Sequence, residues 1–278
     1  MVTTQQILPA PLLRNFVHCY ALRIFTTEDY MVKPLHAQPE YYLSFFLRKD
    51  KSWKLTENNG KVTENNDDRL STLFSESNGY LSFKGSYNLF SVQFKANGLF
   101  AILGVPQKIL LNGLFPVNDI LGNDCRSLKD QLEYSNTLQE MSAYMNAYLT
   151  KKLLSRKHAI HSSAIAETAT SMIRNKGLAS IDSLAYYANM SLRNYERRFV
   201  NEVGIPPKLY MRVIRFYNAV ENKMANPAKS WTEISYETGY FDQAHFIKEC
   251  KEFSSKTPEA LFKVDPPPVE NYLREQGV

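Results

Sequence analysis

The sequence of 278 residues is poor in the residue types that staple, ligate or cross membranes. Its three cysteines, Cys19, Cys125 and Cys250, are odd in number, far apart and in no C-x-x-C pair. That spacing disfavours a disulfide framework or a thiolate zinc site and suits reduced, packed thiols. Of five histidines, His36 stands alone beside the strand-rich region, and His158 and His161, one helical turn apart, have no third ligand nearby. A metal-dependent barrel enzyme needs several such ligands together. Serine-nucleophile motifs and glycine-rich phosphate loops are missing as well. No enzyme, no metal and no cofactor are therefore expected. No run of roughly 18 apolar residues is present to span a bilayer. The start, Met1 to Ala10, has neither the basic flank nor the apolar core of a secretory leader, so a cytoplasmic location with no membrane partner is expected.

Hydrophobic residues make up 44% of the chain, enough for two domains each to bury a core. Charge is uneven. Residues 1–150 balance to zero, residues 151–263 carry +7 and the last 15 carry −2, within a total of +5. The basic excess sits on one segment, and phosphate is its natural counter-charge.

From Tyr41 to Phe94 the pattern predicts short strands at Tyr41–Leu47, Leu70–Phe74, Tyr80–Phe83 and Leu89–Phe94, separated by turn signals such as Asn58-Asn59-Gly60 and Asn78-Gly79. Closely spaced strands of this kind suggest an antiparallel barrel or sandwich, cupin-like and able to hold a small molecule. Helical spacing follows in Leu128, Leu132, Leu138, Met141, Met145, Tyr148 and Leu149, with a break near Ser135-Asn136. This apolar stripe either closes the barrel or mates with a second copy. Further helices are expected over Ser163–Asn175, stopped by Gly177, and Pro207–Met224, stopped before Asn226-Pro227. The fold class is thus α+β. A β-rich sensor-like domain over 1–124 leads through a helical connector and pairing element, 125–160, to an all-helical domain over 161–264. The proline-rich tail, 265–278, extends beyond the fold.

That helical domain repeats one plan of short helix, turn and second helix, at about 180–203 and 230–253. In the first unit Ser180 caps a helix, Asn189 suits a left-handed turn, and Ser191 caps the second helix. Leu192, Tyr195, Phe199 and Val203 then form an inward stripe. Arg193, Glu196 and Arg197 fall on another face with Asn194 at its margin, and these types match base edges in a major groove. In the second unit Ser230 and Glu233 make a capping box, Gly239 supplies the turn and Asp242 caps the next helix. Phe246, Cys250 and Phe253 point inward. Gln243, Ala244, His245, Ile247 and Lys248 are left for bases, and Ser191 and Lys251 for phosphate. At about 1.5 Å per residue the helix between the units is roughly 27 Å long, so two readers could sit about one DNA turn apart.

These residues resemble the AraC/XylS family of bacterial transcription regulators over about Ser162 to Lys263. The similarity is carried by Leu184-Ala185, Ser191, Phe199, the run Gly204-Ile-Pro-Pro-Lys-Leu-Tyr210-Met-Arg212, Arg215, Ala219, Ile234, Gly239-Tyr240, Asp242-Gln243, His245-Phe246, Lys251 and Thr257-Pro258. The sequence departs from the family pattern at Cys250, where a phenylalanine is usual, and at Glu196 and Arg198. The resemblance implies two helix-turn-helix units on a long helix, reading double-stranded DNA in a nucleoid-associated regulator. The N-terminal half is similar to a sensor domain of some members through Leu89–Gly98, Leu103–Pro106 and Phe115–Gly122.

Expected partners are DNA, a small-molecule effector, a second copy of the chain and, for an activator, RNA polymerase. For the effector pocket the aromatic positions Tyr41, Tyr42, Phe45, Phe46 and Trp53 could form the lining, with His36 and Arg48 as polar anchors. Two other readings stay open: a non-specific chromosome-binding protein, and a ligand-binding or interaction protein with an idle DNA reader.

Overall fold

The computed structural model describes residues 2–156 and 163–263. The end of the connector with His158 and His161, and the tail at 265–278, lie outside the described residues. Eight strands make one sheet: β1 (Val2–Ile7), β2 (Val17–Pro34), β3 (Tyr41–Lys49), β4 (Trp53–Thr56), β5 (Val62–Asn65), β6 (Arg69–Ser71), β7 (Tyr80–Phe94) and β8 (Leu114–Pro116). Their order is β1-β2-β7-β3-β6-β8, with the β4–β5 hairpin attached to β7 and all pairing antiparallel.

The two longest strands depart from the expected pattern. Tyr80–Phe83 and Leu89–Phe94 are parts of one strand, β7, in which Gly85 adopts φ +108°. Opposite it the register of β2 shifts between Thr27 and Met31. The glycine sits beside this irregularity, where Glu28 to Tyr30 of β2 face the single Lys84 before pairing resumes. β2 itself shows no period of two because Cys19 to Arg23 are buried on both faces.

Side chains on one face of the sheet, among them Leu43, Phe45, Phe90 and Val92, are buried in the main core. That core also takes in α1 (Gly98–Leu103), α2 (Val117–Leu121), α3 (Cys125–Tyr134) and α4 (Leu138–Leu154). The break between α3 and α4 falls at residues 135–137, where the Thr137 hydroxyl accepts from the Glu140 amide at 3.2 Å. Leu128, Leu132, Leu138, Met141, Met145 and Leu149 are all buried in this chain's own core. The stripe offered for pairing is therefore used within one chain, because the sheet needs an apolar cover.

The second half is helical: α5 (Ala164–Arg174), α6 (Ile181–Tyr187), α7 (Leu192–Val203), α8 (Pro207–Ala225), α9 (Trp231–Glu237), α10 (Gln243–Ser254) and α11 (Pro258–Lys263). One hydrophobic core runs without interruption from the sheet into these helices.

Candidate nucleic-acid interface

Each helix-turn-helix unit is fixed by local chemistry at its turn. In the first, Ser180 Oγ accepts from the Ser183 amide at 3.4 Å and starts α6. Asn189 takes φ +53°, and Ser191 Oγ accepts from the Asn194 amide at 3.4 Å to start α7. Tyr195, Phe199 and Val203 are buried, whereas Leu192, expected on the same stripe, is 43% exposed because it occupies the first helical position. Arg193, Glu196 and Arg197 are exposed. The half-buried Asn194 accepts from Arg197 Nη2 at 2.9 Å, which orients that guanidinium before any ligand arrives. Arg198 turns away from this face and pairs with the buried Glu202 at 2.7 Å.

The second unit repeats the arrangement. The Ser230–Glu233 capping box is formed, Gly239 has φ +80°, and Asp242 Oδ1 accepts from the His245 amide at 2.7 Å. Phe246, Cys250 and Phe253 are fully buried. Burial pushes the Cys250 thiol up to about 11 and its sulfur lies 3.6 Å from the Ser254 hydroxyl, so it packs as a neutral group. Ala244, His245, Lys248 and Lys251 are exposed, while Gln243 and Ile247 are half-buried. Gln243 Oε1 accepts from the Thr232 hydroxyl at 2.7 Å. His245 sits edge-on to Tyr240 with Nε2 3.6 Å from Glu249, tied to its own unit while still facing outward.

The units are joined by α8 and by contacts that periodicity does not reveal. Arg212 on α8 bonds to the buried Glu249 of α10 at 2.7 Å and to Glu252 at 2.6 Å. Arg215 lies 3.9 Å from Glu249 and donates to the Gly177 carbonyl at 3.3 Å. The turn of the second unit also meets the segment leading into the first: a Cβ at Gly239 would lie 2.5 Å from Leu178 Cδ2. Gly239→Ala is accordingly expected to cost about 1–3 kcal/mol, through strain at positive φ and displacement of Leu178. Chemical denaturation should show the loss, with Gly60→Ala, at a positive φ in open space, losing less.

The sheet domain grips the ends of both outer-facing helices. Tyr41 donates its hydroxyl to the Val203 carbonyl at the end of α7, 2.8 Å away. The Ala37 amide donates to the Phe253 carbonyl near the end of α10, 2.9 Å away. A polar chain runs beside the first contact: Asn97 Nδ2 donates to Ser163 Oγ at 3.2 Å, and Ser163 donates to Glu202, which also holds Arg198. These residues lack a short-range sequence signal, since Tyr41 and Val203 are 162 positions apart.

His36, offered as a pocket anchor, belongs to this seam. It is buried with its ring edge-on to Phe216 of α8 at 5.6 Å, and desolvation lowers its pKa. Tyr42 lines the cavity on the sheet's other face. Arg48 is exposed and outside that cavity, because a register shift between Phe46 and Arg48 reverses the alternation that would have turned it inward. Among the described residues no group of three or more His, Cys, Asp or Glu could hold a metal, and no helix is long and apolar enough to cross a membrane.

Residues 184–263 match the model of a family described as a helix-turn-helix domain. Among solved structures, ToxT from Vibrio cholerae O395 is similar over 92% of this chain and 95% of its own, at 10% identity and TM-score 0.45. Unsaturated fatty acid bound wild-type ToxT from Vibrio cholerae strain SCE256 aligns over 86% and 93%, at 12% identity and TM-score 0.43. The AraC-like transcriptional activator CuxR aligns over 78% and 86%, at 14% identity and TM-score 0.26. No curated protein matches the sequence. The family match takes in α7 and α10, the second helix of each unit, and residues 184–263 are thereby a helix-turn-helix domain.

Proposed function

We propose that the chain regulates transcription by reading two successive major-groove segments of one duplex, with α7 and α10 as the reading helices. Arg193, Asn194, Glu196 and Arg197 read bases in the first segment. Gln243, Ala244, His245, Ile247 and Lys248 read the second, and Ser191 and Lys251 hold phosphate. The observation carrying this reading is the repetition within one chain of a capped second helix whose apolar stripe is buried and whose polar face is open. The +7 charge of residues 151–263 supplies the sequence-independent attraction.

The N-terminal domain modulates this activity by holding a small-molecule effector, and the seam at Val203 and Phe253 passes the effect to the reading helices. Binding alone accounts for this action, with no covalent step, and for an activator RNA polymerase is the downstream partner. Competition at fixed salt between the chain's own upstream region and random duplex tests the reading. Preference for the upstream fragment by about 10³-fold or more is expected of a specific regulator. Equal competition with a steep salt dependence would instead identify a general chromosome binder.

A further inference from the structure

The sheet face turned away from the main core encloses a cavity of about 60 Å³. Strand pairing explains its lining. Ser44 of β3 lies opposite Ser91 of β7 and Arg69 of β6, and Arg23 of β2 lies opposite Leu89, which in turn faces Phe46. All six residues line the cavity, with the Ser44 and Ser91 hydroxyls 3.1 Å apart.

Two N–H donors in this lining are buried without an acceptor: Nε1 of Trp53, which is 2% exposed, and Nε of Arg69. The Arg69 guanidinium packs over the Trp53 ring at 5.6 Å, so the two donors belong to one cluster. Its other edge is held through Nη2 by Asn65 at 2.5 Å and Asp67 at 3.3 Å. Arg23 and Lys33 also line it, each engaged with partners of its own, and the lining residue Tyr42 donates its hydroxyl to the buried Glu40, while none of the described lining residues is itself acidic. A buried N–H ordinarily has an acceptor, and two orphans in one basic cavity call for an acceptor-rich anion.

Size and the apolar walls narrow the choice. The cavity has room for about four to six water molecules. Leu35, Phe83 and Leu114 also line it and would meet a short carbon skeleton that an inorganic oxyanion lacks. We propose that this cavity binds a compact carboxylate of about four to six non-hydrogen atoms, with the Arg69 guanidinium and the Trp53 indole turning to bring Nε and Nε1, covered in the unliganded chain, to its oxygens. The proposal rests on the effector role given to this domain and names the chemistry of the effector.

The test is titration of the full chain with acetate, pyruvate, butyrate, decanoate and phosphate, followed by calorimetry and tryptophan fluorescence. Saturable binding of a short carboxylate is expected, weakened about tenfold or more by Trp53→Phe, which removes one donor and keeps a ring, and by Arg69→Gln. Circular dichroism checks that both variants fold, and Trp53→Phe carries the test if Arg69→Gln does not. The assignment is overturned if no short carboxylate saturates below about 10 mM, if Trp53→Phe binds as wild type does, or if phosphate or decanoate binds more tightly. Binding to the upstream duplex, measured without any carboxylate, is scored separately: its persistence beside a failed titration leaves the DNA reading standing.

Discussion

Replacing Arg197 with alanine is expected to cost about 1–3 kcal/mol of binding to the preferred duplex, with little change on random DNA, and Arg193→Ala should do the same at a different base. Both side chains are exposed on a helix whose other face is buried, and Arg197 is already oriented by Asn194. Because that bond reduces the freedom lost on binding, Arg197 should show the larger loss of the two. Lys251→Ala is the contrasting variant: a phosphate contact should weaken all duplexes alike and reduce the salt slope by about one. Selection from a random duplex library with each variant reads the positions directly. Equal losses on preferred and random DNA for both arginines would remove them from base reading.

The second large effect belongs to a residue that touches no DNA in the proposed complex. Glu249 is 3% exposed and faces Arg212 at 2.7 Å and Arg215 at 3.9 Å. Breaking a buried ion pair by removing one partner costs about 3–5 kcal/mol, and the partial exposure of both arginines reduces this to about 2–3 kcal/mol for Glu249→Ala. Glu252→Ala removes a carboxylate that is half exposed and should cost under about 1 kcal/mol although its bond to Arg212 is just as short. Urea unfolding of the two variants decides between burial and bond length as the source of stability. Similar losses for both would make burial irrelevant here.

Legibility in the sequence followed the range over which each signal acts. Caps and turns are local, so Ser180, Asn189, Ser191, Gly239 and Asp242 announce both units, and the structure places them in those roles. The connector break was likewise visible near Ser135-Asn136 as a step out of the helical period, and the structure adds a cap there, Thr137, that the period does not show. The sheet was harder to read. β1 is a polar edge strand and β2 is buried on both faces, so neither alternates, and the irregularity at Gly85 resembles a turn until its partner strand is known. The pocket anchors fared unevenly for a related reason: a single extra residue at Leu47 reverses the face on which Arg48 emerges, while His36 is claimed by a helix 180 positions away. The arginine clamp on Glu249 and the polar chain through Ser163 join distant segments, and no periodicity encodes such meetings.

The attachment of the sheet domain to the Val203 and Phe253 carbonyls would, in the proposed complex, let that domain set the angle between the reading helices. It braces the two prongs at their rear and leaves their front surfaces uncovered. Rearranging the brace would alter the phase between the prongs, so its state would be felt as tolerance for the spacing between half-sites: an operator with one base pair inserted at its centre would respond to the brace more than either half-site alone.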